Sequence, residues 1–265
     1  MSSIIEVDKL NYKNIFKNFS ISIPENEFIT ISGTNKCGKT TLLKILSRDI
    51  KINNSIIYNK IYLESYTNNE IYNEIEAVIP SNEINFIFNT VEDELVFVLD
   101  NLGLSSEDKV KRLRKIVKVF KINKYMSCNP NNLHRNLRIK VEMALATIAK
   151  PKILLLDDVC SMMSKDETKE ILDIIKYFKE EENMTIVMTT DNLSETIDSD
   201  YLYILRNGKI ALEGKPKQIL KEDNTINKIG LNLPFMVDLS VKLKDYDLID
   251  DIGLDMDELV NKLWK

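Results

Sequence analysis

With 7 glycines in 265 residues, the chain has few points of free backbone rotation. Cysteine is scarcer still: Cys37, Cys128 and Cys160 are widely spaced and odd in number. That pattern excludes a disulfide framework and the paired spacing of a zinc site, and predicts reduced thiols in a cytosolic protein. Long apolar runs are missing. Stretches such as Ile153–Leu156 fall far short of the ~20 residues that span a bilayer. The first residues, Met1-Ser-Ser-Ile-Ile-Glu6, have no basic start or small-residue cleavage site, so no signal peptide is expected. No Lys/Arg block interrupts a net charge of −5. Nucleic acid is therefore not an expected partner, nor is a polybasic membrane anchor. Tandem repeats and low-complexity linkers are absent too.

What remains has globular proportions, 44% hydrophobic and 29% charged residues. This length suits one large α/β domain with a small appendage. Two of the scarce glycines fall within one nonapeptide, Gly33-Thr34-Asn35-Lys36-Cys37-Gly38-Lys39-Thr40-Thr41. It is a complete G-x-x-x-x-G-K-[ST] phosphate-binding P-loop. The apolar run 27–32 before it reads as a strand, and 41–47 after it reads as a helix, the context that pattern requires. Glycines let the backbone aim its N–H groups at a phosphate, and the following helix presents its positive end to the same anion. Lys39 is placed for the β- and γ-phosphates, and the Thr40 hydroxyl for Mg²⁺.

Strands are expected at 3–10, 27–32, 55–58 and 75–79, with a turn at Pro24–Asn26. Thr90–Asp93 and Ser105–Asp108 fit capping boxes opening helices 91–102 and 106–121. The second carries a basic face, read as solvated or as turned to acidic lipid or an integral subunit. A third helix is expected over 135–149. Ile153–Asp157 and 185–189 are apolar without alternation, as in a parallel sheet covered on both faces. Asn207-Gly208 predicts a hairpin between 201–206 and 209–213. The order indicates a P-loop core with a mostly parallel sheet, an antiparallel β subdomain and a helical insertion at about 90–150. Amphipathic helices follow at 234–245 and 255–263.

On these motifs the chain resembles an ATP-binding cassette (ABC) ATPase, most of all the ATPase subunits of energy-coupling-factor (ECF) transporters. The P-loop carries the resemblance, together with Thr90–Leu104, Pro151–Asp158 as a Walker B, and Gly230–Met236 with Asp257–Val260 as an ECF-type tail. It covers essentially the whole chain and implies domains at 1–220 and 221–265. It further implies that Tyr12 stacks on adenine, a surface strand aromatic being the alternative, and that Asp157 orients Mg²⁺. Asp158 takes the place of the family's catalytic glutamate with a shorter side chain. Thr190 stands where the switch histidine is expected, and the chain's one histidine, His134, is remote from it in sequence. The Q-loop glutamine aligns with Pro80, with Asn82 or Asn85 as weak substitutes. The signature aligns with Leu133-His134-Arg135-Asn136-Leu137, without its glycines. Arg135 there is either a charge donor to the partner's γ-phosphate or surface filler. The D-loop, Ser161–Ser164, has no acidic residue.

The resemblance implies ATP and Mg²⁺ as cofactors and a peripheral place on the cytoplasmic face of the membrane. Its partners are integral transporter subunits and a sister ATPase, a heterodimer being favoured because each nucleotide lies between two chains. Leu231, Leu233, Phe235, Leu239, Leu259, Leu263 and Trp264 are expected to pack on that sister subunit. Three functions stay open: a subunit that binds ATP and hydrolyses it slowly during uptake of a vitamin or metal ion, a fully active transport ATPase using Asp158, and a soluble regulatory nucleotide-binding protein.

Overall fold

A computed structural model describes residues 3–53, 55–67, 70–71, 74–80, 86–254 and 256–263. Strands β1 (Ser3–Tyr12) and β2 (Phe16–Pro24) form a hairpin. β3 (Phe28–Gly33) runs into the P-loop and helix α1 (Lys39–Leu46) leaves it. β4 (Ile56–Tyr58), β5 (Ile61–Tyr62) and β6 (Ile75–Val78) follow. Helices α2 (Val91–Asp100), α3 (Ser106–Phe120) and α4 (Arg135–Ile148) form the insertion. The chain returns through β7 (Ile153–Asp157), α5 (Lys165–Glu181), β8 (Thr185–Thr190) and the hairpin β9 (Tyr201–Arg206) and β10 (Lys209–Gly214). Helices α6 (Pro216–Ile219), α7 (Asp223–Ile229), α8 (Phe235–Asp245) and α9 (Met256–Leu263) close it.

A six-stranded sheet in the order β10-β9-β3-β8-β7-β6 carries the site, with a four-stranded sheet, β2-β1-β4-β5, beside it. β9, β3, β8, β7 and β6 pair in parallel, and β10 is antiparallel to β9. The uninterrupted apolar run of β7 follows from its place in this sheet. Ile153 and Leu155 enter the core under the antiparallel sheet and α1, whereas Leu154 and Leu156 enter the core under the insertion and α5. Each face of a covered parallel strand must be apolar, so alternation disappears. β8 behaves alike: Val187 joins the first core, Ile186 and Met188 the second.

The β1–β2 hairpin adds a strand that the Pro24–Asn26 turn alone did not predict. Phe19, Ile21 and Ile23 alternate inward, but Lys9 and Asn18, at φ 46° and 54°, bulge the ladder and blur the period upstream. Asn207 and Gly208 form the expected hairpin turn, both at positive φ. The capping boxes are half formed. The Thr90 and Ser105 hydroxyls accept from the Asp93 and Asp108 amides at 3.1 Å, and the two carboxylates take up those same hydroxyls at 2.6 Å. Aspartate is one methylene shorter than the glutamate that reaches back in a full box. A full box stands at Ser164 and Glu167, opening α5.

The basic stretch 106–121 is partly neutralised from within. Lys109 pairs with Asp100 at 2.7 Å, Lys115 with Glu182, and Lys121 with Glu170 at 3.2 Å. The tail builds a third core with the edge of the large sheet, joining Leu202 and Ile204 of β9 to Ile226, Leu231 and Val237. Leu231 and Leu259 are therefore buried in their own chain, Leu233 packs against that core, and Phe235 and Leu263 are exposed. That divides the set expected to meet a sister subunit, and Trp264 lies outside the described residues. No helix among the described residues is long and apolar enough to cross a membrane.

Glu76 in β6 is half-buried, and burial lifts its carboxyl from 4.5 to about 7. The folded chain thus holds this proton more tightly than the unfolded chain. Its stability contribution is intact below the unfolded value and is lost as pH rises through the folded one. Glu76→Gln is expected to raise the melting temperature at pH 8 and leave it nearly unchanged at pH 4.5, as read by thermal denaturation.

Candidate nucleotide site

The loop between β3 and α1 leaves little room for side chains at its glycines. A Cβ on Gly33 would lie 2.5 Å from the Leu205 carbonyl oxygen and 2.6 Å from Cys37 Sγ. Gly38 sits at φ 115°, and a Cβ there would lie 2.9 Å from the Phe16 ring. With Lys36 also at positive φ, successive amides turn inward into an anion-binding concavity at the start of α1. Burial raises the Cys37 thiol's pKa against the opposing pull of Lys39.

This concavity opens on a cavity of about 330 Å³. Asn35, Lys36, Gly38, Lys39, Thr40 and Thr41 line it from the P-loop, Asp157 and Asp158 from the end of β7, Asp191 from just beyond β8, and Ile15 from the β1–β2 turn. Lys39 Nζ donates to the carbonyls of Gly33 at 2.5 Å and Thr34 at 3.3 Å, so the ammonium already lies along the loop. Thr40 Oγ1 donates to Asp157 Oδ2 at 2.7 Å, and Thr189 Oγ1 to Asp157 Oδ1 at 2.5 Å. The helix start and two strand ends thus converge on one buried carboxylate. Thr40 and Asp157 offer hard oxygens, the donor type that Mg²⁺ takes beside nucleotide phosphates. Among the described residues no group of three or more His, Cys, Asp or Glu forms a metal site of its own.

Asp158 follows at φ 51°, a backbone region Asp tolerates better than most residues. Its amide donates to the Thr189 carbonyl at 3.0 Å. Burial first, and then the charge of Asp191, raise its carboxyl pKa. Thr190 is fully buried and does not line the cavity. Its hydroxyl donates to Glu195 Oε2 at 2.7 Å and accepts from the Asn192 amide at 3.0 Å.

The other expected residues lie apart from this cluster. Tyr12, at the end of β1, is half-buried against the first core with Lys13 Nζ 5.1 Å from its ring centre. Ile15, on the same turn, reaches the cavity instead. Leu133, His134, Arg135 and Asn136 lead into α4 and line none of this cavity. His134 caps the helix without a side-chain bond, and both His134 and Arg135 are exposed. Asn136 is turned to its own chain, its amide on Glu167 and its Oδ1 accepting from the Leu137 amide at 2.8 Å. Pro80 follows β6, whereas Asn82 and Asn85 lie outside the described residues.

Sequence reasoning passed over Thr189, Asp191, Glu195 and Ile15. Asp191 had a usable signal: it directly follows a parallel strand, at the edge where α/β sheets bind ligands, as Asp157 ends its own strand. Nothing in the sequence marked Ile15.

The parallel sheet, P-loop, strand-end carboxylate and helical insertion define a P-loop nucleotide-binding domain of the cassette type. A family model described as ABC transporter matches residues 16–161. The energy-coupling factor transporter ATP-binding protein EcfA of Pediococcus pentosaceus is 29% identical, across 100% of this chain and 97% of its own. EcfA1 of Oenococcus oeni is 30% identical, across 99% and 98%. Among solved structures, cbiO1 of Clostridium perfringens, part of the ABC transporter complex cbiONQ, superposes with a TM-score of 0.75 at 22% identity, over 88% of this chain and 97% of that one. The chain belongs to the ABC transporter family and, within it, to the energy-coupling-factor ATP-binding proteins.

Proposed function

We propose that this chain is the ATP-binding subunit of an energy-coupling-factor transporter, driving uptake of a vitamin or metal ion mainly through ATP binding, with slow hydrolysis at its own site. The observation that carries this reading is the 2.7 Å bond from Thr40 to Asp157 at the mouth of the P-loop concavity. It joins the two residues that would hold Mg²⁺ where the terminal phosphates would lie. Lys39 would contact the β- and γ-phosphates, Gly33–Thr41 would wrap them, and Tyr12 would stack on adenine. Mg²⁺, when bound, supplies charge neutralisation at the phosphates.

Slow hydrolysis is supported by three features. Asp158 is shorter than the family's glutamate, and a 1 Å misplacement costs about 10²-fold. The Thr190 hydroxyl is engaged by Glu195. At the signature positions, Arg135 and Asn136 carry side chains where the family has glycine. A homodimer would hold each loss twice, whereas a better-preserved sister ATPase would offer an intact signature to this chain's P-loop. We therefore favour a heterodimer held by integral subunits at the cytoplasmic face of the membrane. Domains at 1–220 and 221–265 fit this assembly, the second including the exposed Phe235 and Leu263.

The test compares ATP turnover by the purified chain with that of Asp157→Asn. The expected result is turnover no higher than in the variant, beside an ATP-dependent rise in melting temperature in the wild type alone. Robust hydrolysis by the chain by itself, lost in Asp157→Asn, refutes the slow-site reading. It would favour the second reading, an active ATPase using Asp158, which the position of that carboxyl on the cavity wall supports.

A further inference from the structure

The segment after β8 is held by an unusually complete set of bonds around one buried carboxylate. Glu195 is 5% exposed. Its Oε2 accepts from the Thr190 hydroxyl at 2.7 Å, and its Oε1 accepts from Asn192 Nδ2 at 3.1 Å. These two donors flank Asp191 in sequence. The Asn192 amide also bonds back to Thr190 Oγ1 at 3.0 Å, and Asn192 Oδ1 accepts from the Ser194 amide at 3.0 Å. Asp191 is therefore the residue left facing outward from a clamped turn, and it lines the cavity with Asp157, Asp158 and Lys39. A buried carboxylate with both oxygens engaged fixes its donors in place.

We propose that Asp191 faces the terminal phosphate of bound nucleotide and accepts a hydrogen bond from water there, with Glu195 as the positioning residue that holds it. The inference rests on the nucleotide site proposed above. A carboxylate at that place has a measurable consequence. A carboxylate beside the γ-phosphate penalises a nucleoside triphosphate more than a diphosphate, because like charges in a partly desolvated cavity repel. Asp191 thus sets the balance between the two forms.

The test is titration calorimetry with AMP-PNP and with ADP, each with Mg²⁺, on the full chain with its sister ATPase. In Asp191→Asn the preference for AMP-PNP over ADP is expected to rise about tenfold, with ADP affinity nearly unchanged. Glu195→Ala should shift the same ratio partway. Glu195→Gln keeps an acceptor for Asn192 and a polar partner for Thr190, so it should restore the wild-type ratio, which a loss of folding would not do. An unchanged ratio in Asp191→Asn overturns the proposal. If the wild type binds neither nucleotide, the site reading above fails, and this inference with it.

Discussion

Lys39→Ala is expected to remove most of the rise in melting temperature that ATP and Mg²⁺ give the wild type. Charge-assisted hydrogen bonds are worth about 1.5–3 kcal/mol each. Losing the ammonium should weaken ATP about 100-fold, or about 2.7 kcal/mol. At ATP one hundred times the wild-type Kd, binding stabilises the fold by about 2.7 kcal/mol, about 5–10 °C for a chain of this size. The variant at the same concentration sits near its own Kd and should gain only about 1 °C. The fold itself should survive, since among the described residues Lys39 Nζ bonds only to the Gly33 and Thr34 carbonyls and alanine suits a helix start in α1. Differential scanning fluorimetry with and without ATP reads both quantities. A variant that keeps the wild-type shift would remove the P-loop from the site.

The largest loss of stability is expected from Gly208→Ala. At φ 69°, a Cβ on Gly208 would lie 1.7 Å from the Ile15 carbonyl oxygen. The atom met is backbone, so no side chain can yield, and the β9–β10 turn must lift off the β1–β2 turn. The cost is expected at about 3 kcal/mol or more, from left-handed strain plus overpacking. Melting should fall by about 6–12 °C. Gly103→Ala is the matched control: it has φ 64°, and nothing lies within 4 Å of its added methyl. It should lose only about 1 kcal/mol. Equal losses in the two variants would show that the clash contributes nothing. Because Ile15 also lines the nucleotide cavity, Gly208→Ala should weaken ATP as well.

The P-loop was legible because its chemistry is contiguous: nine residues carry the turn, the ammonium and the hydroxyl together. Asp157 was legible because it ends an apolar run, and such runs end at the ligand edge of a parallel sheet. The first two helices of the insertion declared themselves through Thr90 and Ser105. Thr189, Asp191 and Glu195 did not stand out, because their meaning comes from pairing across strands. Thr189 matters only once β8 lies against β7 and its hydroxyl meets Asp157. Ile15 becomes part of the cavity wall only when two sheets are stacked. The signature positions show the converse: the sequence shows that glycines are gone, but only the fold turns Asn136 toward Glu167.

The third core has a mechanical corollary. Leu193, at the root of the clamped turn, is fully buried among Leu202, Ile226, Leu231 and Leu254. The tail helices and the segment bearing Asp191 therefore rest on common ground. A load placed on helices α7 and α8 would reach the segment bearing Asp191 through Leu193 and its shared packing.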